Sequence, residues 1–267
     1  MALREQNNLL SGRIETLEIL LTGDNSARSP LTSPSTPPSQ PAETPSPPKE
    51  KYNALIISDS IFRHVGADCP KKVGVKRALE RDIPLRLSKS LPLLKVKKVV
   101  IPGARCARLF DEASRLSQRY EFEEVVVHVG TNYINDEDCE PMPIFEEIQQ
   151  FLGALKGAFK SRITFSPILP RVLREEQEYD QRYEPLSELT LQTIELCRII
   201  NHEVHLFCES NSIGSMICPA FIMDAFDPYP DKSLLSRDGV HLSRKGIVRM
   251  ENCLFDHLAM KFWVTSI

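Results

Sequence analysis

Four short apolar runs, at 53–57, 96–101, 124–129 and 162–166, are each followed by a stretch long enough to form a helix. Runs of this length, rich in valine and isoleucine, suit strands covered on both faces, and their alternation with helices places them in a parallel sheet between helical layers. Helices are expected at 60–67, 75–90, 105–118, 143–160, 186–206 and 243–262. A fifth buried run, Ile217 to Met223, reads as a strand at an edge or irregular position, because Pro219 has no N–H to give a ladder. The expected fold is therefore α/β: a three-layer α/β/α sandwich around a mostly parallel, five-stranded sheet.

The alternation begins only after residue 50. Eight prolines lie between Ser29 and Glu50 among serines and threonines, with almost nothing apolar. Such a segment has no side chains from which to build a core, so 23–50 reads as a disordered linker. Ahead of it, Leu3, Leu10 and Leu17 occupy one heptad register, and Asn7, Ile14 and Leu21 follow four residues after each. Those are the d and a positions of a short coiled coil over 1–22, through which residues 3–21 would form a homo-oligomer, with Asn7 setting register. The remaining 51–267 would be one domain.

Charge is unevenly spread. Residues 71–98 carry ten Lys or Arg against Glu80 and Asp82, whereas 121–150 carry nine acids and no Lys or Arg. The basic stretch reads either as solvated helix faces or as a surface for RNA or another acidic partner. No aromatic residue falls between Phe62 and Phe110, so it lacks the stacking side chains of the usual single-strand platform. Seven cysteines without a C-x-x-C pair suggest mostly buried thiols in a reducing compartment. No basic leader precedes an apolar core, and no apolar stretch approaches the roughly 18 residues of a membrane span, so a soluble cytoplasmic protein is expected.

Ligands of parallel α/β sheets sit beyond the carboxyl ends of the strands. Here those ends read Ser58-Asp59-Ser60, then Pro102-Gly103, then Gly130-Thr131-Asn132. They offer a hydroxyl, a backbone N–H without a side chain in the way, and a carboxamide donor. Asp238 and His241 lie three residues apart on an Asp-Gly turn before the last helix. At that spacing the carboxylate can accept from imidazole Nδ1–H and leave Nε2 for a hydroxyl, so Ser60, His241 and Asp238 are the expected nucleophile, base and orienting acid. Ser58 is a rival nucleophile, but Ser60 reaches the turn. His128 sits inside an apolar run and reads as a core histidine, and His64 as a surface one. Cys197, His202, His205 and Cys208 offer metal-ligand atoms, but their spacing follows no zinc motif and fits a helix with buried Cys and exposed His.

Ser58-Asp59-Ser60, Gly103, Gly130-Thr131-Asn132 and Asp238-Gly239-Val240-His241 resemble, in order, the four sequence blocks of the SGNH or GDSL hydrolases, over about residues 53–262. The resemblance implies a serine esterase acting on small acyl esters of acetyl type without metal or organic cofactor. Its oxyanion hole would be the Ser60 and Gly103 amides with the Asn132 side chain. Two positions depart from the family. Ser58 stands where Gly is usual, which would strain the nucleophile turn if that position required a positive φ. Tyr133 replaces an Asp that often follows the Asn. The order of coiled coil, Pro-rich tether and hydrolase domain is also similar to the first-open-reading-frame proteins of LINE-type retrotransposons, which implies a self-associating esterase that travels with RNA. The alternative reading is a catalytically lapsed module of the same fold, serving self-association or RNA and anion binding.

Overall fold

The computed structural model describes residues 48–65, 79–86, 93–134, 140–172, 174, 186–218 and 231–264. The expected coiled coil at 1–22 and all but the last residues of the 23–50 linker lie outside the described residues. Strand β1 (Glu50–Ser58) is followed by a 3₁₀ turn (Ile61–His64), β2 (Leu79–Arg86), β3 (Leu93–Val100), α1 (Cys106–Arg119), β4 (Tyr120–His128) and α2 (Pro141–Ala158). Then come β5 (Arg162–Ser166), α3 (Glu188–Ser210), β6 (Gly214–Ser215), a second 3₁₀ turn (Lys232–Leu234) and α4 (Arg244–Val264).

The six strands form one sheet in the order β2-β3-β1-β4-β5-β6. All neighbours are parallel except β2 with β3. Period-2 alternation divides the strand side chains between two cores. Leu55, Ile57, Val99, Val125, Val127, Ile163 and Phe165 face one side, where α1, α2 and α3 cover them. Each covering helix buries a stripe at helical spacing, such as Leu109, Ala113 and Leu116 of α1. Ala54, Ile56, Val96, Val100 and Val126 face the other side and meet Met250, Leu254 and Leu258 of α4. The three-layer expectation therefore holds.

Polar groups also fasten α4 to the sheet. Glu124 of β4 is fully buried and accepts from Thr164 Oγ1 at 2.6 Å and Arg162 Nε at 3.0 Å, with His257 Nε2 of α4 at 2.8 Å. Burial works against its charge, but the bonds to His257 and Thr164 hold its carboxyl below the ordinary value.

Several expectations are corrected. The sheet has six strands rather than five, since the stretch expected as a helix at 75–90 contains β2, an antiparallel edge strand. Its charges find partners across the ladder: Lys97 Nζ of β3 donates to Glu80 Oε1 at 3.1 Å and Asp82 Oδ1 at 2.8 Å. Pro84 is tolerated because an edge strand has one unpaired side. Within the basic stretch 71–98, Lys97 and Lys98 are buried, and Lys95 pairs with Glu50, so these three cations are engaged within the fold. The helix expected at 60–67 is only the short 3₁₀ turn. The last strand is Gly214–Ser215; Ile217 and Cys218 follow it outside any strand, and 219–223 lie outside the described residues. Cys218 and Cys253 form a disulfide that joins the segment after β6 to α4, a departure from the reducing compartment expected of mostly buried thiols. Among the described residues, Cys106, Cys197 and Cys208 are buried outside any disulfide. Among the described residues, no helix is long and apolar enough to cross a membrane.

Candidate active site

Strands β3, β1 and β4 are adjacent and parallel, with Val100, Ser58 and His128 in register at their carboxyl ends. The three segments of interest therefore leave the sheet side by side. The Asp59 amide donates to the His128 carbonyl at 3.3 Å, and the Ile101 amide to the Ser58 carbonyl at 2.9 Å, extending the ladder one residue beyond the strands. Ser60 then enters the 3₁₀ turn in a relaxed right-handed conformation, φ −68° and ψ −19°, with its side chain partly exposed.

The fourth segment arrives from the far end of the chain. Leu235 and Leu242 bridge across its base, and the Ser236 amide donates to the His241 carbonyl at 2.7 Å. At its tip Gly239 has φ +68°, which a side chain would disfavour, and the Gly239 carbonyl accepts from the Val172 amide at 3.0 Å. Asp238 Oδ1 accepts from Ser236 Oγ at 2.7 Å and from the Val240 and His241 amides at 2.9 Å each. Its other oxygen lies 2.7 Å from His241 Nδ1, and His241 Nε2 lies 3.0 Å from Ser60 Oγ. Partial burial would raise the Asp238 pKa, yet the bonds from Ser236, His241 and Val240 outweigh it and hold the carboxyl well below the ordinary carboxylate range. An ionised Asp238 accepts Nδ1–H and leaves Nε2 as the acceptor for the serine hydroxyl.

Gly103 follows β3 with φ +71°, in a turn closed by the Ala104 amide on the Ile101 carbonyl at 3.1 Å. A Cβ there would meet nothing within 4 Å, so glycine is required by the backbone and the space beside it is open to a ligand. Gly130 is constrained differently: φ is +125°, and a Cβ would lie 2.3 Å from the Ile168 Cδ1 atom. Gly130→Ala is expected to lower stability by about 2–3 kcal/mol, from backbone strain together with overpacking. A urea midpoint equal to that of the parent would contradict it.

Asn132 Nδ2 donates to the Ala104 carbonyl at 3.0 Å, with a longer 3.4 Å contact to Asp59 Oδ2. The carboxamide thus lies between the nucleophile segment and the glycine turn. Tyr133 is buried, and its hydroxyl accepts from the Cys106 amide at 2.9 Å and donates to Glu147. It thereby supplies a cap to the first turn of α1, whose N-cap residue Arg105 makes no side-chain cap of its own. Asn132 and Tyr133 together fasten the segment 104–106 that follows Gly103.

The rivals are placed elsewhere. Ser58 is fully buried, its Oγ donating to the Asp59 carbonyl at 3.1 Å. Its backbone is unstrained, for Ser212 is the one described non-glycine residue with positive φ. His128 is fully buried, stacked on Phe62 with ring centres 4.8 Å apart and bonded to Ser166, and burial lowers its pKa to about 3. His64 is exposed, and Cys197 and Cys208 are buried in the core while His202 faces outward. Asp59 was not singled out from sequence. It is completely buried, Oδ1 accepts from the Ile61 amide at 3.0 Å, and burial pushes its pKa up to about 7 against the opposing effects of Ile61, Thr131, His241 and Arg171. Only its membership in the Ser58-Asp59-Ser60 block marked it.

No protein-family model matches the chain, and no curated protein matches its sequence. Solved structures match its fold. A GDSL-like lipase from Bacteroides thetaiotaomicron superposes with a TM-score of 0.50 at 14% identity, covering 79% of this chain and 89% of that one. A lipase/acylhydrolase from Enterococcus faecalis gives 0.50 at 12% identity, over 78% and 96% of the two chains. A catalytic mutant of an acetylxylan esterase from Geobacillus stearothermophilus gives 0.50 at 15% identity, over 79% and 95%. The chain therefore has the mixed α/β fold of GDSL/SGNH lipases and acylhydrolases.

Proposed function

We propose that this chain is a serine esterase that hydrolyses small acyl esters of acetyl type. The observation that carries the reading is the line of contacts from Asp238 through His241 to Ser60, 2.7 Å and 3.0 Å, assembled from residues 181 apart in sequence. In the first step Ser60 Oγ attacks the ester carbonyl as its proton passes to His241 Nε2. The resulting imidazolium is stabilised by Asp238, and the proton then goes to the leaving alcohol as the C–O bond breaks. Water repeats the sequence on the acyl-enzyme, releasing the acid and restoring Ser60.

The tetrahedral oxyanion would be held by the Ser60 and Gly103 amides and by Asn132 Nδ2. Asn132 is already aligned by its bond to Ala104, and its weaker 3.4 Å contact with Asp59 is the one it would exchange for the developing charge. Asn132→Ala is expected to lower kcat by on the order of 10²-fold with KM little changed, because the donor acts mainly in the transition state. A change confined to KM would argue against that role. The acetyl preference draws support from the acetylxylan esterase among the structures of the same fold. A chromogenic ester series from acetyl to octanoyl would check it, with the highest kcat/KM expected at the shortest acyl chain. Labelling with a fluorophosphonate, followed by peptide mapping, tests the nucleophile: the modified residue should be Ser60, and exclusive modification elsewhere would overturn the proposal.

A further inference from the structure

Lys98 is 2% exposed, on the strand next to the one that delivers Ser60. It alternates with Val96 and Val100, both part of the core beneath α4, so its stem passes through apolar surroundings. Burying an ammonium is unfavourable unless its donors are satisfied. Here Nζ donates to the carbonyl oxygens of Phe62 and Arg63, at 3.3 Å each, and to that of Val65. Phe62 and Arg63 belong to the 3₁₀ turn that follows Ser60, and Val65 is the residue that ends it. The Phe62 carbonyl also accepts the Val65 amide at 3.2 Å, but carbonyls at the carboxyl end of a helical turn carry its partial negative charge, and an ammonium with three donors matches them.

The near end of the same turn is held by different groups. Asp59 gives its amide to His128 and takes the Ile61 amide on Oδ1, while Phe62 stacks on the His128 ring. Ser60 therefore sits between two anchors, one made by Asp59 and His128 and the other by Lys98. From this geometry we infer that Lys98 is a positioning residue, which holds the nucleophile turn so that Ser60 Oγ stays within 3.0 Å of His241 Nε2. The inference rests on the reading of Ser60 as nucleophile. It assigns a role in the reaction to a cation that the sequence places only within a basic stretch.

Lys97 supplies the control. It is the neighbouring residue, also buried, but points to the opposite side of the strand and binds Glu80 and Asp82 at the sheet edge. With a short-chain chromogenic ester, Lys98→Met is expected to lower kcat by on the order of 10²-fold, as displacement of a reacting group by about an ångström does. KM should stay within about threefold, since no substrate contact is removed. The rate of fluorophosphonate labelling at Ser60 should fall in parallel. Lys98→Gln, which keeps an N–H donor on a shorter stem, should fall between Lys98→Met and the parent, and Lys97→Met should retain the parent kcat whatever its melting temperature. Circular dichroism identifies folded variants; if Lys98→Met does not fold, the decision passes to Lys98→Gln. A folded Lys98 variant with parental kcat, a loss lying wholly in KM, or an equal loss in Lys97→Met would each overturn the inference. Ser60→Ala, run alongside, separates the two levels: equal turnover in parent and Ser60→Ala removes the esterase reading and this role with it, whereas an active parent with an unaffected Lys98→Met removes only the role of Lys98.

Discussion

Ser60→Ala is expected to lower kcat/KM for a short-chain ester by on the order of 10⁵-fold, to the level of background hydrolysis. The proposed route places every covalent step on Ser60 Oγ, and among the hydroxyls at this strand end it alone contacts His241. Ser58, the next candidate, is buried and bonded to its own neighbour's carbonyl. His241→Ala should cost nearly as much, and the double variant little more than either single one, because two groups that act in one proton transfer are not additive. Initial rates for the four proteins at matched concentration decide the matter. Independent, multiplying losses would mean that Ser60 and His241 do not work as a unit.

Asp59→Asn is expected to change the pH dependence of stability by about 4 kcal/mol between pH 4 and pH 7. Burial raises the Asp59 carboxyl from its ordinary value of 3.8 to about 7 in the folded chain. Between those values the folded state holds a proton that the unfolded state has released, so the wild-type chain loses stability as pH rises. Below pH 4 both states are protonated and the contribution is fully retained; above pH 7 the folded state carries a buried carboxylate and the loss is complete. A shift of about three units, at 1.36 kcal/mol each, sets the size. Asparagine keeps an oxygen for the Ile61 amide but does not titrate. The stability of the variant relative to wild type should therefore climb from pH 4 to pH 7 and then level off. Urea unfolding of both proteins at half-unit pH steps measures this directly, and a flat difference would mean that Asp59 is already ionised in the folded state at pH 4.

The strands that were legible in the sequence share one property: they are buried on both faces. β1, β3, β4 and β5 each carry a short run of apolar residues where helices cover the sheet, and such runs announce themselves without knowledge of their neighbours even where Lys97 and Lys98 interrupt β3. β2 was not legible. Its charges at Glu80, Arg81 and Asp82 fit a solvated helix face as well as an edge strand, and only the presence of Lys97 across the ladder decides between them. β6 is two residues long, too short for any pattern to mark.

The same division runs through the site. Residue type and local spacing marked Ser60, Gly103, Asn132, Asp238 and His241 as candidates, because a hydroxyl at a strand end, a glycine in a turn and an Asp-x-x-His turn are properties of a few consecutive residues. Asp59 and Lys98 acquire their character from what surrounds them. An aspartate becomes a carboxylic acid with a pKa near 7 only when other segments shut water out, and a lysine in a basic stretch becomes an anchor only when the adjacent strand brings three carbonyls to its ammonium. Features written in short range could be read from the chain alone: the alternation of elements, the identity of the candidate groups and the order in which they occur. Packing had to determine which of them meet, how deeply each is buried and which charges are turned inward, since those depend on distances between residues far apart in sequence.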